Sequence, residues 1–185
     1  MVIKMIFYIS DLHFGHKNIL NLANRPFKSI EDMQETIIKN WNSVVSDSDE
    51  VYIIGDVFFK MDEVAASAII KSLNGKKHLI EGNHDREIVK NKNLRDLFES
   101  ISPYKKIHDN GRTVILCHYP ILEWDGYFRG NYHVFGHIHN NFSSGAYPLL
   151  KENCEYFKNA FNAGVEVNNY FPQTLDQLIA RGGKE

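Results

Sequence analysis

Cysteine is scarce in this 185-residue chain, with Cys117 and Cys154 the only two. Two thiols make no disulfide framework, and a chain this long needs none, because it buries roughly 70% of the surface its unfolded form exposes. Both are expected as reduced thiols, which points to a cytoplasmic protein. A basic excess is also missing: 21 Lys and Arg stand against 23 Asp and Glu, for a net charge of −2. That balance argues against a nucleic-acid-coating role, and no stable nucleic-acid binding is expected. No apolar run approaches the ~20 residues of a membrane helix, so no membrane partner is expected. The opening stretch MVIKMIFYIS runs straight into DLHFGH, without the small-residue cleavage site of an export signal. No internal repeat, low-complexity tract or Pro/Ser-rich linker divides the chain, so residues 1–185 read as a single domain. Gly-x-Gly-x-x-Gly and Walker-type runs are lacking, which removes the familiar phosphate-cradling loops. Histidine, by contrast, is abundant, with nine residues. Many histidines beside few thiols suggest nitrogen-and-oxygen metal chemistry if the imidazoles cluster.

Short runs rich in Val, Ile, Phe and Tyr read as buried strands: Ile3 to Ile9, Val51 to Ile54, His78 to Ile80, Thr113 to Cys117 and Tyr132 to Phe135. Phe157 to Ala160 and Val165 to Val167 are later candidates. From Ile30 to about Val45, Ile30, Met33, Ile37 and Trp41 recur at helical spacing, behind a capping pair of Ser29 and Asp32. A second helix is expected from Asp62 to Leu73, with Val64, Ala68, Ile69 and Leu73 inward and Asn74-Gly75 ending it. Shorter helices are expected near Asn93 to Phe98 and Leu175 to Ala180. Strands alternating with helices in the first half indicate a layered α/β fold.

The residues that follow the strands carry the chemistry. In order they are Ser10-Asp11-Leu12-His13, Gly55-Asp56, Gly82-Asn83-His84-Asp85, His118 and Gly136-His137-Ile138-His139. Carboxyl ends of strands in open α/β sheets converge on one crevice, so carboxylates, an amide and up to five imidazoles would meet there. Such donors suit Mn²⁺, Fe, Zn²⁺ or Ni²⁺. Glycines before Asp56, Asn83 and His137 let the chain turn where side chains crowd. Singly, each piece has an ordinary reading: Asp-x-His as a turn or cap, Gly-Asp as a plain turn, His118 as a hydrogen-bonded half-buried histidine. Five such pieces in this order, each behind an apolar run, are not an accident.

That order, from Asp11 to His139, resembles the calcineurin-like metallophosphoesterase family, and Phe14-Gly15-His16 with Arg25-Pro26-Phe27 resembles its small, cap-less bacterial and phage branch. The resemblance implies a four-layer αββα fold: a β-sandwich of two mixed sheets flanked by helices, with two divalent metals at one edge. It implies that Asp11, His13, Asp56 and His139 hold one metal. Asp56, Asn83, His118 and His137 would hold the other, with Asp56 bridging. Manganese is the expected metal, with Fe, Zn or Ni as alternatives.

Phosphate esters resist anionic nucleophiles and leave as poor alkoxides. Two cations ~3.5–4 Å apart neutralise the phosphoryl oxygens, and a bound water becomes hydroxide near neutral pH. The leaving group then needs a proton. The family role falls on His84 as general acid, with Asp85 accepting a hydrogen bond from its other ring nitrogen. The expected reaction is hydrolysis of a small, nucleotide-like phosphodiester. The alternatives are a phosphomonoesterase of the same fold and a non-catalytic scaffold.

Outside the motifs, His16 either contacts substrate or lies on the rim of the first loop. His78, His108 and His133 read as structural, and Cys117 as an inert thiol pointing away from the metals. The aromatic segment from Tyr119 to Arg129 either stacks a base, with Arg129 holding a phosphate, or forms a small core that steadies the loop. Asn18 and Arg25 either reach substrate or, for Arg25, pair with a surface acid.

Overall fold

The structure, a computed structural model, describes residues 4–141, 145 and 155–182. Ile3, at the expected start of the first strand, and Cys154 lie outside the described residues.

Two four-stranded sheets form the frame. The first contains β1 (Ile6–Ile9), β2 (Glu50–Ile53), β3 (Lys76–Ile80) and β4 (Ser100–Ser102) in that order, parallel throughout. The second contains β5 (Tyr104–Asp109), β6 (Arg112–Cys117), β7 (Tyr132–Phe135) and β8 (Ala160–Asn162). Its β5–β6 pair is antiparallel and the other two are parallel, so mixed pairing is confined to this sheet. β5 and β6 are joined through Asn110 and Gly111, both at positive φ, as a two-residue hairpin requires.

Alternation along the strands separates the cores. Phe7 and Ile9 of β1 face a cluster that includes Ile30, Met33, Ile37 and Trp41 of the helix α2. Tyr8 points the other way, joining Tyr52, Ile54 and Ile80 against Ile107, Val114, Leu116, Val134 and Phe161 of the second sheet. Among the described residues the helices are α1 (Ile19–Leu22), α2 (Ile30–Val44), α3 (Glu63–Ser72), α4 (Arg86–Lys90), α5 (Lys92–Arg95) and α6 (Leu175–Gly182). At the start of α2 the Ser29 hydroxyl accepts from Asp32 N–H, and the Asp32 carboxylate accepts from Lys28 N–H. Beyond the second sheet, Ile115 packs with Trp124 and Phe157 in a third, small cluster. Among the described residues, no helix is long and apolar enough to cross a membrane.

Two expectations need correction. Asp62 caps α3 by accepting from Ala65 N–H, and the buried face is then Ala66, Ile70 and Leu73. Val64 is 79% exposed. The two late strands become a single strand, β8, followed by a 3₁₀ turn at Glu166–Asn168. The Asn162 carboxamide oxygen accepts from Gly164 N–H and ends the strand, while Phe157 turns outward onto Trp124.

Candidate metal centre

The parallel strands β1, β2 and β3 put Asp11, Asp56 and Asn83 at one edge of the first sheet. β6 and β7, parallel to one another, bring His118 and the Gly136–His139 turn to the same place. Cross-links between the edges make this one site. The Ile54 carbonyl lies 2.8 Å from His118 Nδ1, and His137 N–H donates to the Asp11 carboxylate at 3.0 Å. Five of these residues, Asp11, His13, Asp56, His137 and His139, lie in the left-handed region with φ between 50° and 71°. Non-glycine residues rarely adopt it, and such strain concentrates at functional sites. A Cβ at Gly82 would strike the Asp56 carboxylate, and one at Gly136 would strike the Ser10 hydroxyl, so these positions admit only glycine beside the ligand side chains.

Protonation follows from the partners. His118 Nδ1 lies 2.8 Å from the Ile54 carbonyl, which only accepts, so that nitrogen carries the proton. Nε2 then presents a lone pair to Asp56 Oδ2 at 3.6 Å and Asn83 Oδ1 at 3.1 Å, both acceptors. His139 repeats the arrangement. Its Nδ1 donates to Glu166 Oε1 at 2.8 Å, and its Nε2 faces Asp11 Oδ1 at 3.7 Å and His13 Nε2 at 3.3 Å. Asp56 Oδ1 accepts from His84 N–H, which leaves Oδ2 between the Nε2 atoms of His13 and His118, 3.6 Å from each. His118 Nε2 is thus a lone pair set among oxygen acceptors, and lone pairs so placed repel unless a cation lies among them, so this donor set fits divalent metal ions. Among the described residues, two groups have ligand atoms all within 4.8 Å: Asp11, His13 and His139, and Asp11, Asp56 and His118. Asp11 is thus common to both, while Asp56 lies between imidazoles of each. The His137 ring is 5.1 Å from that of His118.

Burial sets the charge states. It pushes the Asp11 carboxyl up, against the pull of the His139 and His118 imidazoles. Burial also drives His13 far below the ordinary histidine range, helped by His139 and Arg25, and lowers His137. These rings are therefore neutral, the form that binds metal. At His139 burial is outweighed by the Glu166 hydrogen bond and by Asp11, which raise it.

His84 stands at the open side of the cluster. Its Nε2 is 4.0 Å from Asp56 Oδ2, its ring 5.4 Å from that of His13, and 35% of its side chain is exposed. Asp85 does not orient it. The Asp85 carboxylate is buried and accepts backbone N–H groups of Asp56, Val57 and Gly82, tying the β2 and β3 loops together. Burial nevertheless pushes its pKa up to about 6. His16 reaches the rim, stacked on Phe59 at 4.0 Å and edge-on to His13. Arg129 does not join the cluster: it is exposed and pairs with Asp125, which also binds Lys106. The surrounding loop is instead held by Trp124, whose Nε1–H donates to the Asn131 carbonyl. Asn18 stands at the start of α1.

Arg25 is buried rather than on the surface, and its partner is Glu166, which the pattern marked only as part of a late strand. A single acid between Val165 and Val167 was the available signal. Tyr119, from the aromatic segment, does reach this rim, its ring 4.7 Å from that of His137, and Phe59, whose ring adjoins His84, joins it without having been expected there. His78 is hydrogen-bonded to Ser100 and stacked on Tyr52, and His108 pairs with Thr113, as structural residues do. Burial raises the Cys117 thiol, keeping it protonated.

No protein-family model matches the chain. The chain belongs to the family of the uncharacterized protein MJ1445 of Methanocaldococcus jannaschii, to which it is 35% identical over 184 residues, covering 97% of this chain and 92% of that one. It is also 30% identical to the gene 66 protein of Mycobacterium phage L5, over 72% of this chain and 76% of the relative. A solved structure from Aquifex aeolicus, the protein of unknown function AQ665, matches with a TM-score of 0.74 and 29% identity, covering 97% of this chain and all of that one. A predicted phosphoesterase of Streptococcus pneumoniae, a nuclease of Pseudomonas putida, an archaeal phosphodiesterase and an E. coli phosphoesterase also match among the solved structures, at TM-scores of 0.37 to 0.46, too distant for an activity to be transferred.

Proposed function

We propose that this protein is a binuclear metal-dependent phosphoesterase acting on a small phosphodiester of nucleotide type. One observation carries the reading: His118 and His139 each have Nδ1 tied outward to an acceptor and Nε2 aimed at a carboxylate in the same site. Asp11, His13, Asp56 and His139 would hold one ion, and Asp56, Asn83, His118 and His137 the other. Two divalent cations, manganese first among them, would supply charge neutralisation at the phosphoryl group and acidify a water.

The side chains have distinct tasks. Neutral His13 and His137 offer lone pairs without a proton to remove first. His84, exposed at the mouth and fixed through its own N–H to Asp56, donates a proton to the departing oxygen. Asp85 positions the loops carrying Asp56 and Asn83 and acts on His84 only through that backbone. His16 and Phe59 border the substrate entry. The reading places the enzyme in the cytoplasm, consistent with its two cysteines.

The test is hydrolysis of bis-p-nitrophenyl phosphate and p-nitrophenyl phosphate with added Mn²⁺ and after chelation. Chelator-sensitive turnover with the diester preferred is expected. Preference for the monoester would make the protein a phosphomonoesterase, and absence of chelator-sensitive turnover would leave only the scaffold reading.

A further inference from the structure

The Arg25–Glu166 pair carries more than its place in the core explains. Both side chains are buried, with 0% and 2% exposure, and a buried ion pair is a weak source of stability. Every donor of the guanidinium is used. Nε and Nη2 donate to Glu166 Oε1 at 2.9 and 2.6 Å, Nη2 also to the Asp11 carbonyl at 2.6 Å, and Nη1 to the Leu12 carbonyl at 2.9 Å, with Met33 Sδ 3.2 Å away. Glu166 Oε1 in turn accepts from His139 Nδ1. One guanidinium therefore holds the left-handed turn that presents Asp11 and His13, and through Glu166 the ring of His139. These three are one of the two ligand groups. The other group shares Asp11, whose carboxylate is held by His137 N–H rather than by the pair, and its histidine, His118, is oriented by the Ile54 carbonyl.

We propose that Arg25 and Glu166 are positioning residues for one metal position only, the one formed by Asp11, His13 and His139. This rests on the binuclear reading above. A carboxylate on the far nitrogen fixes the tautomer and raises the basicity of a ligating imidazole, and losing such a partner typically costs ~10–100-fold in metal affinity. Lysine cannot replace Arg25, because an ammonium does not reach four acceptors in a planar fork.

Glu166→Gln keeps the shape and removes the charge. Calorimetric Mn²⁺ titration of the full chain is expected to show two binding events in the wild type. In Glu166→Gln one of them weakens ~10–100-fold while the other is unchanged. Arg25→Lys should weaken the same event. Thermal unfolding supplies a readout that a merely structural role would not move, the Mn²⁺-induced rise in Tm: Glu166→Gln lowers the Tm in chelator, because the buried Arg25 guanidinium loses its carboxylate, and the Mn²⁺-induced rise shrinks as well. Equal weakening of both events, or two unchanged events, overturns the selective role. A fall in the chelated Tm with an unchanged Mn²⁺ increment assigns the pair to the fold alone and also overturns it. Fewer than two events in the wild type defeats the binuclear reading, and this proposal with it.

Discussion

His118 and His133 are both completely buried, lie near the ends of adjacent strands and donate Nδ1–H to a backbone carbonyl. Their other nitrogens differ. His133 Nε2 accepts Ile121 N–H at 3.1 Å, so the ring is saturated, and it packs beside Trp124 in the small outer core. His118 Nε2 meets only oxygen acceptors. Burial alone therefore does not separate a structural histidine from a ligand; the second nitrogen does. The surroundings agree, since the His118 edge is built on left-handed residues and carboxylates and the His133 region on aromatic contacts.

The sharpest way to break this comparison is Asp56→Asn. With the charge between His13 and His118 removed, both metal positions should empty together and turnover should fall to background, measured by metal analysis beside the diester assay. Next comes His84→Ala, which should slow poor-leaving-group esters ~10²–10⁴-fold while metal content is retained. Wild-type rates on such substrates would remove His84 from its role. In the other region, His133→Ala should cost about 2–4 kcal/mol through a cavity and a lost pair of backbone hydrogen bonds, with metal content unchanged. Urea unfolding with metal analysis checks both halves.

The smallest effect is one of pH. Burial lowers His133 to about 4. Between the ordinary histidine value of ~6.5 and that figure, the unfolded chain takes up a proton that the folded chain refuses. The stability from the neutral ring is fully present above pH ~6.5 and declines as pH falls, by about 3 kcal/mol at pH ~4. The gap in unfolding free energy between wild type and His133→Ala should narrow accordingly; a constant gap would show that His133 titrates normally.

How much of this was legible in the chain depended on distance. The strand-end motifs announce themselves because apolar runs and ligands are contiguous, and the α2 stripe from Ile30 to Trp41 needs only its own periodicity. β4 was missed because Ser100-Ile101-Ser102 is short and polar. β5 alternates Lys105, Lys106 and His108 with few apolar residues, although Asn110-Gly111 before Arg112 was a readable hairpin turn. Asp85 misled by adjacency: its neighbour His84 faces the cleft while its own carboxylate turns to three backbone donors. Glu166 was hidden because its meaning lies in contacts with Arg25 and His139, 141 and 27 positions away. Local pattern shows which residues could serve a site; only tertiary contact shows which nitrogen they present.

Anomalous diffraction at the manganese edge from crystals of the Mn²⁺-loaded protein tests the central claim most directly. Two peaks are predicted, one among Asp11, His13, Asp56 and His139 and one among Asp56, Asn83, His118 and His137, with none at His133. A site without peaks, or with His118 Nε2 hydrogen-bonded to a protein donor instead of metal, would contradict the account.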